Sequence, residues 1–599
     1  MPYPIKYIEN NLVWNIEGEC FAYYELIPFN YSFLSLEQKD AVHDAFRQLI
    51  AQNRDGKIHA LQISTESSIR ATQERSKKSV TGRLKEIACA EIDEQTENLV
   101  ASLGDTQVDY RFFLGFKLVV TDKELSVKEM GKTAKNLLHD AANAIGHSFM
   151  GDFVSMPNDE ICRYSRMEKL MENKLSRRFK VRRLDKNDFG YLLEHIYGRT
   201  GTAYEDFAFT LPLKKRKRDT LVKKYDLIKP ARCLIEEKQR YMRIKSEDSE
   251  SYVAYFTISD VVGELDFPSS EIFYYQEQQF DFAIDTSMNV EIITNKAALH
   301  TVRNKKKELK DLDNHAWENN SETTNQVAEA LDSVDELESV LDQSKESMYK
   351  LSYVVRVTAP DVEELKRRCN QVRDFYDDAS IKLVRPIGDM MGLHNEFIPS
   401  SKRYMNDYVQ YVTSDFLAGL GFGATQMLGE RDGIYLGYNV DTDQNVYVQP
   451  ARAAQGVKGS VTNALSGAFL GSLGGGKSLS FNLLTYYAVL NGAQALILDP
   501  KSERGQWKEK LPEIADEINI VNLTSDEENK GMLDPYIIMR KTKDAESLAL
   551  DVLTFLTGIS SRDGKLFPVL RRAVRAVTNS ETRGLLRVID ALRDDGSET

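Results

Sequence analysis

The chain is 599 residues long, 42% hydrophobic and 28% charged, with a formal net charge of −13 at pH 7. That is a folded chain of at least two packing units, and its acidic balance argues against a protein that coats nucleic acid, leaving room only for a local basic groove. No apolar run approaches the roughly 18 residues of a membrane span, no signal-peptide pattern opens the chain, and five scattered cysteines without a C-x-x-C pair fit reduced thiols in the cytoplasm.

Cys20 to Phe29, CFAYYELIPF, reads as a strand. A helix follows from about Leu36, because Ser35-Leu36-Glu37-Gln38 has the Ser-x-x-Gln form of a capping box. The segment from about Gln73 to Leu103 is polar and helix-prone, Phe112 to Val120 is strand-like, and Ser126 to Ile145 spaces its apolar residues as a helix does. Two basic runs, Leu175 to Asp185 and Leu213 to Lys224, read as solvated connectors, with contact to acidic lipid or a partner as the alternative. Residues 304–348 are charged, free of Gly and Pro, and apolar at spacings near 3.6. They predict one or two long exposed helices, an antiparallel hairpin broken near residues 318–324, serving as a spacer or a partner-binding coil. Then Tyr349 to Pro386 reads as strand, helix from about Asp361, and strand from about Ile381. The pattern, though not the residues, repeats the earlier one, predicting two related α/β modules of the ferredoxin-like kind. From about Leu417 glycine and turn residues multiply, and the main boundary is expected near residue 425.

Gly471-Ser472-Leu473-Gly474-Gly475-Gly476-Lys477-Ser478 fits the G-x-x-x-x-G-K-[ST] pattern of a P-loop. Glycines let backbone N–H groups wrap a triphosphate, a lysine supplies positive charge to its β and γ phosphates, and the serine hydroxyl can ligate Mg²⁺. The cradle is therefore Gly471, Gly474, Gly475, Gly476, Lys477, Ser478 and Leu479. The setting agrees: SGAFLG before the loop and QALILD after the helix read as strands, and Asn491-Gly492 supplies the helix stop, making one βαβ unit. Asp499 ends the second strand and formally matches a Walker B acid. The run Asp499-Pro500-Lys501-Ser502-Glu503 favours an auxiliary carboxylate that meets Mg²⁺ through its bound water, and the plainer alternative is an Asp capping a strand end before Pro500.

GSLGGGKS, LILDPKSE and MLDPY (Met532 to Tyr536) occur in an order and spacing that resemble VirB4-like ATPases, the motors of type IV secretion and conjugation, within the FtsK/HerA-type P-loop superfamily. PIKYIENNLVWNIEGECFAYYELIPF is similar to the opening of the ConE-like branch from Gram-positive conjugative elements. The resemblance implies an α/β fold with an α+β N-terminal domain, 1–425, that docks on a channel, and a RecA-like P-loop domain, 426–599. It implies ATP and Mg²⁺ as cofactors, and Lys477, Asp499 and Glu503 as catalytic residues. It further implies a homo-hexamer when active, partners among the secretion-channel and membrane components with a coupling protein besides, and residence on the inner face of the cell membrane; direct DNA contact stays open. Ser502 stands where the family commonly has glycine, and Arg504 where it has an aromatic.

Such ATPases also carry a Walker B strand ending in Asp-Glu, then an arginine and a glutamine that sense the γ-phosphate. Asp516-Glu517 is the nearest match, but Pro512 and Glu513 spoil the strand that should precede it. The expectation is a chain that stops inside the helical insertion of its ATPase domain, binds ATP or ADP weakly and hydrolyses little. Two other functions fit the same residues: a DNA-translocating pump, which demands a basic pore, and a non-enzymatic, nucleotide-responsive scaffold.

Overall fold

Side chains alternate across a pleated strand, and in the computed structural model that alternation is filled on both sides. All seven residues of Cys20–Leu26 are buried; Ala22, Tyr24 and Leu26 enter one apolar cluster, Phe21 and Tyr23 another. The structure describes residues 3–53, 56–119, 158–198, 222–223, 233–246, 250–261, 267–318, 325–450, 466–523 and 531–594. The predicted helix 126–145 and all but Val222–Lys223 of the basic run 213–224 lie outside them. The chain divides into two compact units, Met1–Ala495 and Leu496–Thr599.

Among the described residues, fourteen strands of the first unit form one sheet. Within it one topology occurs twice. Cys20–Leu26, the helix Leu36–Ala51, Lys57–Ser68, Thr106–Lys117, the helix Asn158–Ser176 and Val181–Arg183 run as β-α-β-β-α-β, and the strands lie side by side as fourth, first, third, second. Glu250–Val261, the helix Ile272–Gln279, Ile284–Ile293, Met348–Ala359, the helix Val362–Asp378 and Ile381–Val384 repeat that order in sequence and in space. Both are ferredoxin-like arrangements. Each is preceded by a hairpin pairing with the start of its first strand, Ile5–Glu9 with Leu12–Asn15 and Leu234–Glu237 with Met242–Lys245. Each also carries a helical pair between its second and third strands, Ile69–Ser79 with Lys85–Leu103 and Asn295–Glu318 with Asn325–Ser344.

The second pair is the antiparallel hairpin that its spacing predicts. Ala298, Val302 and Leu341 form its apolar seam, and Arg303 to Glu338 at 2.8 Å and Lys306 to Asp335 at 2.7 Å lace its flank. The helix Leu36–Ala51 begins on the expected capping box, Ser35 and Gln38 each bonding the other's backbone N–H. Near residue 425 the chain is sewn into the first unit, since Ala424–Thr425 pairs parallel with Phe29–Asn30.

The two modules meet through their second strands, Lys57–Ser68 and Ile284–Ile293, paired antiparallel. Asp285 sits at this seam, 1% exposed. It accepts from the Ser64 N–H at 2.8 Å and the Ser64 hydroxyl at 2.7 Å, lies 3.0 Å from His195 Nε2, and stands 3.4 Å from Arg356 Nη1, its direct cross-strand neighbour. A carboxylate and a guanidinium out of water are tolerable only together.

In the second unit the helices Thr542–Thr557, Leu566–Thr578 and Leu585–Asp594 close around Ala549, Leu553, Leu570, Val574 and Val588. The MLDPY stretch fastens them: the Asp534 carboxylate accepts from the Tyr536 N–H at 3.0 Å and the Leu585 N–H at 2.7 Å, and the Tyr536 hydroxyl lies 2.9 Å from Thr578 Oγ1. Among the described residues no helix is long and apolar enough to cross a membrane.

Replacing Asp285 with alanine strands the buried Arg356 charge and is expected to destabilise the first unit by about 3–5 kcal/mol, read as a lowered urea midpoint. A loss under 1 kcal/mol by the same measurement would show that the seam does not depend on this pair.

Candidate nucleotide-binding loop

Two glycines of the loop occupy the left-handed region, Gly474 at φ 79° and Gly476 at φ 77°, where a side chain is strained. Between them the Gly475 N–H donates to the Ser472 carbonyl at 3.2 Å, and a Cβ at Gly475 would itself lie 3.2 Å from that oxygen. The helix Lys477–Leu490 starts at once, with Gly476 as a cap that offers no side-chain acceptor. The first N–H groups of a helix have no intrahelical partner, so those of Lys477, Ser478 and Leu479 point out of an uncapped N-terminus carrying the positive end of the helix dipole.

Lys477 folds back across the loop. Its Nζ donates to the Ser472 carbonyl at 2.5 Å, and its stem runs beside Gly471, where a Cβ would stand 3.3 Å from Lys477 Cγ. Gly471 thus makes room for the lysine, while Gly474 and Gly476 turn the backbone. Ser478 is exposed in the first helical turn. Exposed N–H donors and a lysine ammonium beside them suit a phosphate chain, and a neighbouring hydroxyl suits Mg²⁺, so the residues present fit both groups.

The helix is held at both ends. Phe469 and Phe481 meet edge to face at 5.6 Å, tying the segment before the loop to the N-terminal half of the helix. At the other end Leu490 is buried, and Gly492, at φ 97°, passes so close to Thr81 that a Cβ would lie 2.6 Å from its carbonyl oxygen. The body packs against Lys85–Leu103 and Ile434–Tyr438. There burial, with the Glu91 and Glu94 carboxylates, raises the Tyr487 pKa.

The predicted flanking strands differ from expectation. Residues 466–471 and 494–499 have no ladder partner among the described residues. A parallel strand takes its hydrogen bonds from strands separated from it by crossovers, so apolar composition alone does not make one.

Asp499 and Glu503 belong to the second unit, on a tight turn. The Asp499 carboxylate accepts from the Arg504 N–H at 2.9 Å and the Lys501 N–H at 3.2 Å, and Arg504 Nη1 stands 3.4 Å away. The Arg504 N–H is the leading cause that holds this carboxyl below the ordinary aspartate value. The turn puts Ser502 at φ 53°, the left-handed geometry that glycine adopts more cheaply. Arg504 is the residue sequence reasoning missed: it serves as the counter-ion of Asp499 and lies over the Trp507 ring at 5.8 Å. Its departure from an aromatic was the available signal. Glu503 is exposed. Asp516-Glu517 lies in a 3-10 turn, Pro512–Glu517, and not on a strand, as Pro512 and Glu513 foretell.

The Asp499 carboxyl is expected to titrate below the ordinary aspartate range in carboxyl-detected NMR, and Arg504→Ala to raise it only in part, because the leading donor, the backbone N–H, survives the substitution. What the turn gains from this carboxylate is complete above the unfolded aspartate pKa and is lost as pH falls through the lowered folded value. An ordinary pKa in the unaltered chain would contradict the observed hydrogen bonding.

Residues 444–599 match the model of the AAA-like domain family, and the loop lies inside the match. The chain is also similar to the uncharacterized protein YddE of Bacillus subtilis (strain 168), at 20% identity over 576 residues, covering 91% of this chain and 67% of that protein. The protein is thus a mixed α/β chain with a large antiparallel sheet and, in its C-terminal region, an AAA-like P-loop domain of ATPase type.

Proposed function

We propose that this chain is the ATP-binding motor subunit of a conjugative type IV secretion system, coupling nucleotide use to channel assembly or to transfer through the channel. The observation that carries this reading is the uncapped helix N-terminus at Lys477 behind the left-handed glycines Gly474 and Gly476. The AAA-like match over residues 444–599 and the VirB4-like order of GSLGGGKS, LILDPKSE and MLDPY support it.

In this reading the N–H groups of Lys477, Ser478 and Leu479 bind the phosphates behind the turn at Gly474 to Gly476, and Gly471 keeps space for Lys477. The lysine exchanges the Ser472 carbonyl for the β and γ phosphate oxygens, and Ser478 holds Mg²⁺. Mg²⁺ held there by Ser478 would supply positive charge to the phosphoryl group. Within the second unit the Asp499 carboxylate is engaged by the Arg504 and Lys501 N–H groups and faces the Arg504 guanidinium. The partners are the channel and its membrane components, a coupling protein, and further copies of this chain in a hexamer at the inner face of the membrane.

Equilibrium binding of a fluorescent ATP analogue with Mg²⁺ tests the site. Lys477→Ala is expected to weaken binding at least about tenfold, since a charge-assisted phosphate contact contributes about 1.5–3 kcal/mol; an unchanged affinity would remove the loop from the site. The same variant in cells separates the alternatives. A motor loses transfer without Lys477, whereas a scaffold keeps it, and a DNA pump adds ATP-dependent displacement of DNA.

A further inference from the structure

The internal duplication of the first unit supplies its own control. In the first module the space between the N-terminal hairpin and the helix Asn158–Ser176 is closed by protein. Asn11 Nδ2 donates to Glu168 Oε1 at 3.0 Å, Trp14 meets Tyr164 edge to face at 5.8 Å, and Arg183, at the end of the fourth strand, is paired with Glu168 at 2.8 Å.

At the comparable place in the second module there is a cavity of ≈ 690 Å³, between the turn of the hairpin Leu234–Lys245 and the helix Val362–Asp378. Its lining carries Lys238, Arg240, Lys366, Arg373 and Arg385, and no carboxylate. The two lysines have nearby acids, Glu236 at 3.4 Å and Glu363 at 3.2 Å. Arg373 reaches only the neutral Asn370 Oδ1 at 3.4 Å. Among the described residues no carboxylate pairs with Arg240, Arg373 or Arg385. Arg385, which follows the fourth strand as Arg183 ends its own, keeps a buried Nε without an acceptor, an arrangement that costs free energy unless something accepts from it. Burial, and the neighbouring charges of Arg240 and Arg373, hold Arg385 below the ordinary arginine value.

The rest of the lining is apolar or neutral. Val362, Leu365 and Cys369 recur at helical spacing to form one wall, and Tyr241 contributes from the hairpin. Burial pushes the Cys369 thiol up to about 11, so it is a neutral wall and not a nucleophile.

We propose that this cavity binds a small ligand bearing clustered phosphates. Three unpaired guanidinium groups call for more than one negative charge, and the planar arginine fork matches phosphate oxygens two at a time. The volume falls within the roughly 300–1,000 Å³ of small-molecule sites, and the apolar wall leaves place for an organic body. A soluble organic polyphosphate and the phosphorylated head group of an anionic lipid share this chemistry.

The test uses the full chain carrying Lys477→Ala, which weakens the loop as a competing phosphate site, and the arginine variants assign what binding remains. Inorganic tripolyphosphate is titrated by calorimetry without Mg²⁺, and vesicles of phosphatidylcholine with and without phosphatidic acid are used in co-sedimentation. One tripolyphosphate site is expected, weakened at least about tenfold by Arg385→Gln and by Arg373→Gln. Arg240→Gln, on an exposed turn, is expected to act the same way with an unaltered melting curve, which keeps folding out of the result. Tripolyphosphate binding that these variants lose assigns a soluble ligand. Phosphatidic acid binding that they lose, without tripolyphosphate binding, assigns a head group. Absence of binding in both arms, or binding that Arg240→Gln and Arg373→Gln leave unchanged, overturns the proposal.

Discussion

Asp285 and Arg356 face each other across two neighbouring inner strands of the large sheet, both 1% exposed, and the first unit is organised around what that pair requires. Desolvating two charges costs more than their attraction returns unless their remaining hydrogen-bonding capacity is filled. Ser64 fills it from the other module and His195 from the helix Lys186–Tyr197. The register of Lys57–Ser68 against Ile284–Ile293 follows, because a one-residue slip would turn Ser64 to the opposite face and leave the carboxylate short of donors. A buried ionic group of this kind adds little net stability but penalises every other pairing of two similar modules.

Duplication also explains why the halves differ in use. Similar strand orders leave similar spaces, and side chains decide whether a space is filled. Glu168 fills it in the first module. In the second, arginines stand there without carboxylates, which turns a packing position into a candidate binding position. At the P-loop the logic is backbone and not side chain: left-handed glycines and an uncapped helix expose N–H groups that must find acceptors in water or in a phosphate. Neither place depends on the other, so one chain can carry both.

Much of this was legible in the sequence where the signal is local. The Ser35–Gln38 capping box, the hairpin helices and the P-loop are each written in residues a few positions apart. Two modules could be suspected from pattern, yet their fourth-first-third-second strand orders and the seam between them depend on pairings hundreds of residues apart that no short window records. Asp499 illustrates the reverse case. Its acidity and position were visible, whereas its engagement by Arg504 required the turn at Ser502 to be seen closed. The apolar runs at 466–471 and 494–499 read as strands, but composition states only that a segment can join a sheet; ladder partners decide whether it does.

In the proposed function phosphate meets the backbone N–H groups that open the helix Lys477–Leu490. Amide hydrogen exchange on the full chain, with and without Mg²⁺ and ATP, measures this directly. ATP is expected to slow exchange at Lys477, Ser478 and Leu479, with the seam strands unaffected. Saturable ATP binding that leaves those amides exchanging at their free rate would contradict it.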